Sequence, residues 1–167
     1  MSQEPNFQVV PIAEVSQSDA VVHSGKHRPV VLIVDDERVI ADTLSIILRK
    51  NGFSTLTAYD GKSALELART VPPALLISDV VMPGMTGVEL AIALTQKNPA
   101  CKVLLFSGQA ATADLLENAR NAGYNFTTLA KPVHPTDMLR RITECLTTRG
   151  TISETLTEFA FSNRLYQ

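Results

Sequence analysis

Short apolar runs alternate with stretches of helical period over residues 30–149 of the chain. The first run, Val30–Val34, is apolar throughout and rich in β-branched residues, as expected of a strand that is covered on both faces. Apolar residues then recur at helical spacing over residues 39–48 until Asn51 and Gly52 end the helix. Because the strand–helix order occurs five times, the pattern predicts a parallel sheet with helices on both faces.

Four further strand–helix units are bounded by turn signals such as Asp-Gly, Pro-Pro and Asn-Pro. Asp36 is expected to cap the first helix. The other predicted strands are Phe53–Tyr59, Ala74–Ser78, Lys102–Phe106 and Phe126–Ala130. The other predicted helices lie between Gly61 and Pro72, from Val88 to about Lys97, from Thr112 to Asn121, and from Thr136 to about Thr148.

The order of predicted strands and helices divides the chain into three parts. Residues 1–29 are interpreted as a tail, although a weak alternation over residues 7–12 could make a short strand or a docking segment. Residues 30–149 are predicted to form one domain, and residues 150–167 a C-terminal extension too short for an appended DNA-binding or enzymatic domain. One short amphipathic helix is expected in that extension, with Leu156, Phe159, Ala160 and Leu165 on its apolar side.

Composition and charge narrow the class of protein. The chain has 167 residues, of which 45% are hydrophobic, and a formal net charge of −2, which favours neither a nucleic-acid groove nor a polybasic membrane patch. No apolar run approaches the length of a membrane span, and the N-terminus lacks the features of a secretory signal. A cytoplasmic location is therefore expected, with Cys101 and Cys145 as reduced thiols.

Charged and hydroxyl side chains stand at the ends of four predicted strands. Asp35 and Asp36 follow the first strand, Asp79 the third, Ser107 the fourth and Lys131 the fifth. The carboxyl ends of parallel strands lie on one edge of a sheet, so these residues are expected to converge in one crevice. Crowded carboxylates repel one another unless a cation joins them, and Mg²⁺ prefers such oxygen ligands. The sequence therefore predicts a phosphate-transfer site with Asp79 as nucleophile.

These motifs resemble those of the response-regulator receiver domain of two-component signalling. The resemblance covers about residues 30–149, and the intervals from Asp79 to Ser107 and to Lys131 also match the family. It implies an α/β fold of the flavodoxin-like, doubly wound type: a five-stranded parallel sheet of order 2-1-3-4-5 with helices on both faces. It rests on Val34-Asp35-Asp36-Glu37, Ser78-Asp79-Val80-Val81-Met82-Pro83-Gly84, Phe106-Ser107-Gly108 and Ala130-Lys131-Pro132.

The resemblance also implies roles for individual residues. Asp79 matches the phosphoacceptor, and Asp35 and Asp36 match the acidic pair that binds Mg²⁺ together with Asp79. Val81 matches the position that binds the metal through its backbone carbonyl. Ser107 matches the hydroxyl that bonds the phosphoryl group, and Lys131 matches the lysine whose bond to the next proline is usually cis.

One position departs from the family pattern. Receivers often have an aromatic residue three positions before the lysine, which turns inward when the hydroxyl moves. Thr128 stands there in this chain, and Phe126 or Tyr124 are the candidate substitutes.

By this resemblance the chain is a single-domain response regulator that takes a phosphoryl group from the phosphohistidine of a histidine kinase or phosphotransfer protein. It is expected to be a phosphoacceptor and not an enzyme, apart from self-phosphorylation and self-dephosphorylation. It would signal to an unknown downstream protein through the surface around residues 110–121 and 126–129, as a monomer or homodimer, without direct contact to nucleic acid or membrane.

Two alternatives remain open at this point. The fold could serve as a constitutive docking module without phosphorylation, although intact Asp35, Asp36, Asp79 and Lys131 argue against a degenerate site. A phosphatase of the haloacid-dehalogenase type would need an Asp-x-Asp pair after the first strand. This chain has adjacent aspartates after its first strand. Two positions after Asp79 it has Val81, which cannot act as the general acid.

Overall fold

Across residues 28–108 and 112–147, five strands and five helices alternate, as the sequence pattern predicts. The computed structural model describes residues 28–108 and 112–147, so the segment at residues 7–12 and the expected C-terminal helix lie outside the described residues. The strands are β1 (Val30–Val34), β2 (Ser54–Ala58), β3 (Leu75–Asp79), β4 (Lys102–Ser107) and β5 (Thr127–Ala130). The helices are α1 (Arg38–Lys50), α2 (Gly61–Thr70), α3 (Gly87–Lys97), α4 (Ala113–Asn121) and α5 (Pro135–Thr147).

All neighbouring strands pair in parallel in the order β2-β1-β3-β4-β5, so the predicted fold class and strand order are confirmed. The register aligns the carboxyl ends of the central strands. Val34 of β1 pairs with Ser78 of β3, and Asp79 pairs with Phe106 of β4. Ser107 pairs with Ala130 of β5. Residues that directly follow these strands are therefore delivered to the same edge.

Each face of the sheet is covered by its own set of helices. Helices α2, α3 and α4 pack on one face, where Leu32, Leu76 and Leu105 are fully buried. Helices α1 and α5 pack on the other face, over Ile33, Ile77 and Leu104. Burial on both faces explains why the central strands β1, β3 and β4 read as nearly continuous apolar runs. Within residues 28–108 and 112–147, no helix combines the length and the apolar character that crossing a bilayer requires.

The start of α1 differs from the expectation. The N-cap is Glu37, and no side-chain oxygen of the described residues caps the helix, so the prediction that Asp36 is the cap is wrong. Instead, the Glu37 backbone N–H donates to Asp35 Oδ1 at 2.9 Å. This bond holds the Asp35 carboxylate against the turn, while Asp36 stays exposed at the sheet edge.

Several strand ends also shift by a residue. Phe53 and Tyr59 were predicted to belong to the second strand, but both lie outside β2. Phe53 is buried, and its N–H donates to Leu48 O at 3.1 Å, so it belongs to the turn that closes α1. Ser107 extends β4 by one residue because it pairs with Ala130. These are local hydrogen-bond choices that apolar character alone does not specify.

Candidate functional site

Three strands bring the predicted acidic and basic side chains to the carboxyl edge of the sheet. Asp35 directly follows β1, and its N–H donates to Ala58 O of β2 at 3.4 Å. Asp79 is the last residue of β3. Lys131 directly follows β5, and its N–H donates to Ser107 O at 2.9 Å. The convergence that the sequence predicts is therefore present in the structure.

The three aspartates form one carboxylate cluster. One oxygen each from Asp35, Asp36 and Asp79 can be chosen so that all three lie within 4.8 Å of one another. Burial is graded across the cluster: Asp35 is buried, Asp79 is half-buried and Asp36 is exposed. Such a cluster has a closed side towards the protein and an open side towards solvent.

Lys131 is the basic partner of this cluster. Its Nζ lies 3.1 Å from Asp79 Oδ2 and 3.5 Å from Asp35 Oδ2. Burial lowers the pKa of the ammonium group, but the carboxylates of Asp79 and Asp35 raise it more, so the net pKa is raised. Lys131 is therefore charged at neutral pH. Its peptide bond to Pro132 is cis, as the resemblance implied.

The Asp35 carboxylate keeps one oxygen without a hydrogen bond. Oδ1 accepts from Glu37 N–H, whereas the buried Oδ2 has no hydrogen-bond partner within the described part of the chain and only the longer ion pair to Lys131. Burial raises the pKa of this carboxyl, and the Glu37 bond and the Lys131 charge oppose that effect only in part. A buried, under-satisfied carboxylate oxygen beside two other carboxylates is a donor set that suits a hard divalent cation.

The two remaining predicted site residues lie near Lys131 and Asp79 along the backbone. Ser107 is half-buried at the end of β4. It pairs with Ala130 of β5, the residue directly before Lys131. Val81 lies two residues beyond Asp79, and its side chain is 52% exposed. A solvent-exposed apolar side chain fits a position whose expected contribution is a backbone carbonyl.

A comparison with family models matches residues 31–143 to the response regulator receiver domain. The chain belongs to this family. It is a receiver domain of the kind found in two-component response regulators. Receivers bind Mg²⁺ at an acidic pocket, and in this chain Asp35, Asp36 and Asp79 form an acidic cluster.

Curated relatives and solved structures agree with this membership. The chain is 34% identical over 120 residues to the probable transcriptional regulatory protein TcrX of Mycobacterium tuberculosis, covering 72% of this chain and 50% of that protein. It therefore spans about half the length of the curated relatives it matches. The Vibrio cholerae chemotaxis protein CheY4 superposes with a TM-score of 0.64 at 29% identity, over 71% of this chain and 99% of the other. A receiver domain of an HD domain-containing protein from Pseudomonas fluorescens Pf-5 superposes with a TM-score of 0.66 at 28% identity, over 71% of this chain and 94% of the other.

The loop after Asp79 in this receiver is held by two contacts that the sequence analysis did not single out. A Cβ added at Gly87 would collide with the Asp79 backbone carbonyl, and the Gly87 N–H donates to Val80 O at 2.9 Å. Thr86 and Glu89 form a capping box at the start of α3. The Thr-x-x-Glu spacing is a signal that could have found this cap. Helix α3 therefore begins directly against the backbone of the candidate phosphoacceptor.

The candidate aromatic substitutes lie far from the site. Thr128 occupies the middle of β5 and pairs with Leu105. Tyr124 and Phe126 stack on each other before β5 begins, with ring centroids 5.9 Å apart. Strand rise of about 3.3 Å per residue places the start of β5 roughly 10 Å from the Ser107 level. The structure does not bring either ring beside Ser107.

A second polar cluster borders the receiver site on the β2 side. The Arg38 guanidinium carbon lies 4.1 Å from the centroid of the Tyr59 ring, and Tyr59 OH donates to Asp42 Oδ1 at 2.8 Å. The hydrogen bond to Asp42 raises the pKa of Tyr59. These contacts tie the end of β2 to the first turns of α1, which follows the loop of the acidic pair.

Proposed function

We propose that Asp79 accepts a phosphoryl group from the phosphohistidine of a histidine kinase or phosphotransfer protein, in a reaction that requires Mg²⁺. The observation that carries the proposal is the position of Lys131 Nζ, 3.1 Å from Asp79 and 3.5 Å from Asp35, inside a cluster of three carboxylates. A lysine that contacts two carboxylates and is partly exposed can give its charge to an incoming oxyanion.

Mg²⁺ would be held by the carboxylates of Asp35, Asp36 and Asp79 and by the backbone carbonyl of Val81. The fit is supported by the under-satisfied Oδ2 of Asp35 and by the open, exposed side of the cluster at Asp36. When bound, the ion neutralises carboxylate charge and offers a coordination position to the phosphoryl oxygens.

Asp79, Lys131 and Ser107 have different roles in the transfer. A carboxylate oxygen of Asp79 forms a bond to phosphorus as the bond from phosphorus to the donor imidazole nitrogen breaks, and that nitrogen takes up a proton. Lys131 binds a phosphoryl oxygen because its Nζ already lies within contact distance of Asp79. The Ser107 hydroxyl donates a hydrogen bond to another phosphoryl oxygen after the transfer.

The product adds negative charge where carboxylates already crowd. By analogy with hydroxyl phosphates the group carries about −1.5 to −2 charge at pH 7. Because Ser107 and Lys131 sit at the ends of β4 and β5, the new bonds shift the elements that follow or flank these strands. We place the output surface around residues 110–121 and 126–129; residues 110 and 111 lie outside the described residues.

Signalling in this proposal is a change of protein–protein contacts with a downstream partner, by a cytoplasmic monomer or homodimer that does not touch nucleic acid or membrane itself. Residues 30–149 act as a stand-alone receiver between the tail of residues 1–29 and the extension of residues 150–167. Turnover is limited to self-phosphorylation and self-dephosphorylation.

The proposal is tested by incubating the full chain with Mg²⁺ and acetyl phosphate and measuring intact mass. We expect a hydroxylamine-labile phosphoryl adduct on the wild type and on Asp42→Asn, a matched aspartate outside the cluster. Asp79→Asn should stay unlabelled, and chelation of Mg²⁺ should prevent labelling of the wild type. Labelling of Asp79→Asn at the wild-type rate would assign the phosphoryl group elsewhere. Absence of any adduct, with partner binding unchanged in Asp79→Ala, would favour the docking-module alternative.

A further inference from the structure

A groove lies at the opposite edge of the sheet from the aspartates. It has a volume of about 750 Å³ and is open to solvent. Its walls come from the end of α3, the amino ends of β4 and β5, the loop before β5, and α5. None of its lining residues belongs to the carboxylate cluster, so the phosphoryl site leaves this groove unused.

One wall of the groove is aromatic, and another carries charged side chains, of which Arg141 forms an ion pair with Glu144. Tyr124 and Phe126 stack in the loop before β5, and Gln96 Nε2 donates to Tyr124 OH at 2.9 Å, which fixes the ring. Lys102 and Arg141 line the groove with these rings. The Nε of Arg141 is buried and has no hydrogen-bond partner in the part of the chain that the structure describes. The groove thus offers apolar area beside charged side chains, a combination typical of a binding surface.

The chain itself continues from the rim of this groove. Cys145, in the last turns of α5, lines it, and α5 ends two residues later at Thr147. A rise of about 1.5 Å per helical residue places the exit of the chain roughly 3 Å further along the axis. The following segment, residues 148–167, is long enough to fold back across the groove from this exit.

The sequence of that segment has one apolar face. Ile152, Leu156 and Phe159 are spaced by four and three residues, which places them on one side of a helix. Glu154 and Glu158 fall on the opposite side. An isolated helix of this length is marginal in water, so the stripe needs an apolar surface to form it.

We propose that residues 148–167 dock in the groove of the same chain through Ile152, Leu156 and Phe159. The apolar stripe covers the Tyr124–Phe126 pair, and a backbone carbonyl or hydroxyl of the segment accepts from Arg141 Nε. Docking covers the loop before β5, next to the proposed output surface, so a downstream partner that uses this loop has to displace the segment. The docking itself does not depend on phosphorylation of Asp79.

The chain has no tryptophan, which gives a direct test in the full-length protein. Phe159→Trp places a single indole on the apolar face, and Thr157→Trp places one off that face as the matched control. We expect the indole of the Phe159→Trp variant to emit at shorter wavelength than that of the Thr157→Trp variant. It should also be quenched less by acrylamide, without any phosphodonor.

Second-site changes identify the surface that protects the indole. Adding Tyr124→Ala or Arg141→Ala to Phe159→Trp should abolish most of the protection from acrylamide. Arg140→Ala should preserve it, because Arg140 bonds the same Glu144 but does not line the groove.

A further readout uses a native thiol of the groove. Cys145 should be alkylated faster in Leu156→Ser/Phe159→Ser than in the wild type, with unchanged far-UV circular dichroism. Equal quenching of the Phe159→Trp and Thr157→Trp variants would overturn the proposal, as would protection that Tyr124→Ala and Arg141→Ala leave intact. Protection that increases with protein concentration would also overturn docking within one chain and would assign the groove to a second copy.

Discussion

Replacing Lys131 with methionine keeps most of the side-chain length but removes the one cationic group that, within the described residues, pairs with the cluster. Lys131 Nζ contacts both Asp79 and Asp35. The Asp35 side chain is 2% exposed and that of Lys131 28%, so the interaction is partly shielded from solvent. In the variant, a buried carboxylate with an unsatisfied oxygen faces two other carboxylates without compensation.

The expected loss of stability in Lys131→Met follows from the distances between Lys131 Nζ and the two carboxylates. With an effective dielectric constant near 20, each unit-charge pair at 3.1 or 3.5 Å is worth roughly 5 kcal/mol before desolvation is subtracted. Removing one partner of a buried pair costs about 3–5 kcal/mol, and the partial exposure of Lys131 places this site near the lower end. We therefore expect Lys131→Met to lower the free energy of unfolding by about 3 kcal/mol in Mg²⁺-free buffer.

Mg²⁺ should offset much of this loss. At saturating Mg²⁺ the difference between the two proteins shrinks by RT ln of the ratio of their Kd values, so a variant that binds the ion about 100-fold more tightly recovers about 2.7 kcal/mol. Because the variant lacks the competing ammonium group, it should bind Mg²⁺ more tightly than the wild type.

The measurement is urea unfolding of the wild type, Lys131→Met and the exposed-lysine control Lys97→Met, each with EDTA and with saturating Mg²⁺. The control should stay within about 0.5 kcal/mol of the wild type. The reasoning is refuted if Lys131→Met is no less stable than Lys97→Met without Mg²⁺, or if its deficit is the same with and without the ion.

Three further predictions follow from local contacts. Gly87→Ala should lower the free energy of unfolding by about 1–3 kcal/mol, because the added methyl group displaces the backbone of Asp79, and it should slow the proposed phosphorylation of Asp79. Gly108→Ala, which has open space at that position, should be near neutral in urea unfolding. Burial raises the pKa of Cys101 to about 12, so its thiol should resist iodoacetamide at about pH 8 until the protein is unfolded. Because the unfolded thiol loses its proton first, the free energy of unfolding should fall by about 1.4 kcal/mol per pH unit above about pH 9, and Cys101→Ala should lack this contribution in unfolding titrations. Thr86→Ala should lower the free energy of unfolding by about 1 kcal/mol, because the cap of α3 is lost. Glu89→Gln should lower it less in the same assay, because glutamine retains an acceptor. Equal losses in the two variants would contradict the capping-box account.

The positions of the site residues along the strands were predictable, but their individual environments were not. Asp35, Asp79 and Lys131 stand next to apolar runs, and parallel pairing is enough to bring such residues to one edge. The burial of Asp35 and the exposure of Asp36 depend on how the turn after β1 folds. The same turn explains why Asp36 is not the helix cap, since the Glu37 N–H bonds to Asp35 instead.

The close approach of Gly87 to Asp79 was likewise beyond the reach of a single sequence. A glycine after a loop indicates only that a turn is favoured there. That the missing Cβ of Gly87 makes room for the Asp79 carbonyl depends on how α3 packs against the end of β3. The position of the aromatic rings was decided in the same way. Only the β4–β5 register shows that Tyr124 and Phe126 lie at the far end of the strand from Ser107.

The sequence by itself determined the alternation of strands and helices, the edge on which the chemistry lies, and the identity of the groups that meet there, because period and strand-end position are local properties of the chain. The tertiary structure decided which carboxylate is buried, which of its oxygens lacks a hydrogen bond among the described residues, and which ammonium group forms an ion pair with that oxygen. It also decided that a groove opens where α5 ends. Distances and solvent exposure are set by the packing of elements that are remote in sequence, and no local pattern encodes them.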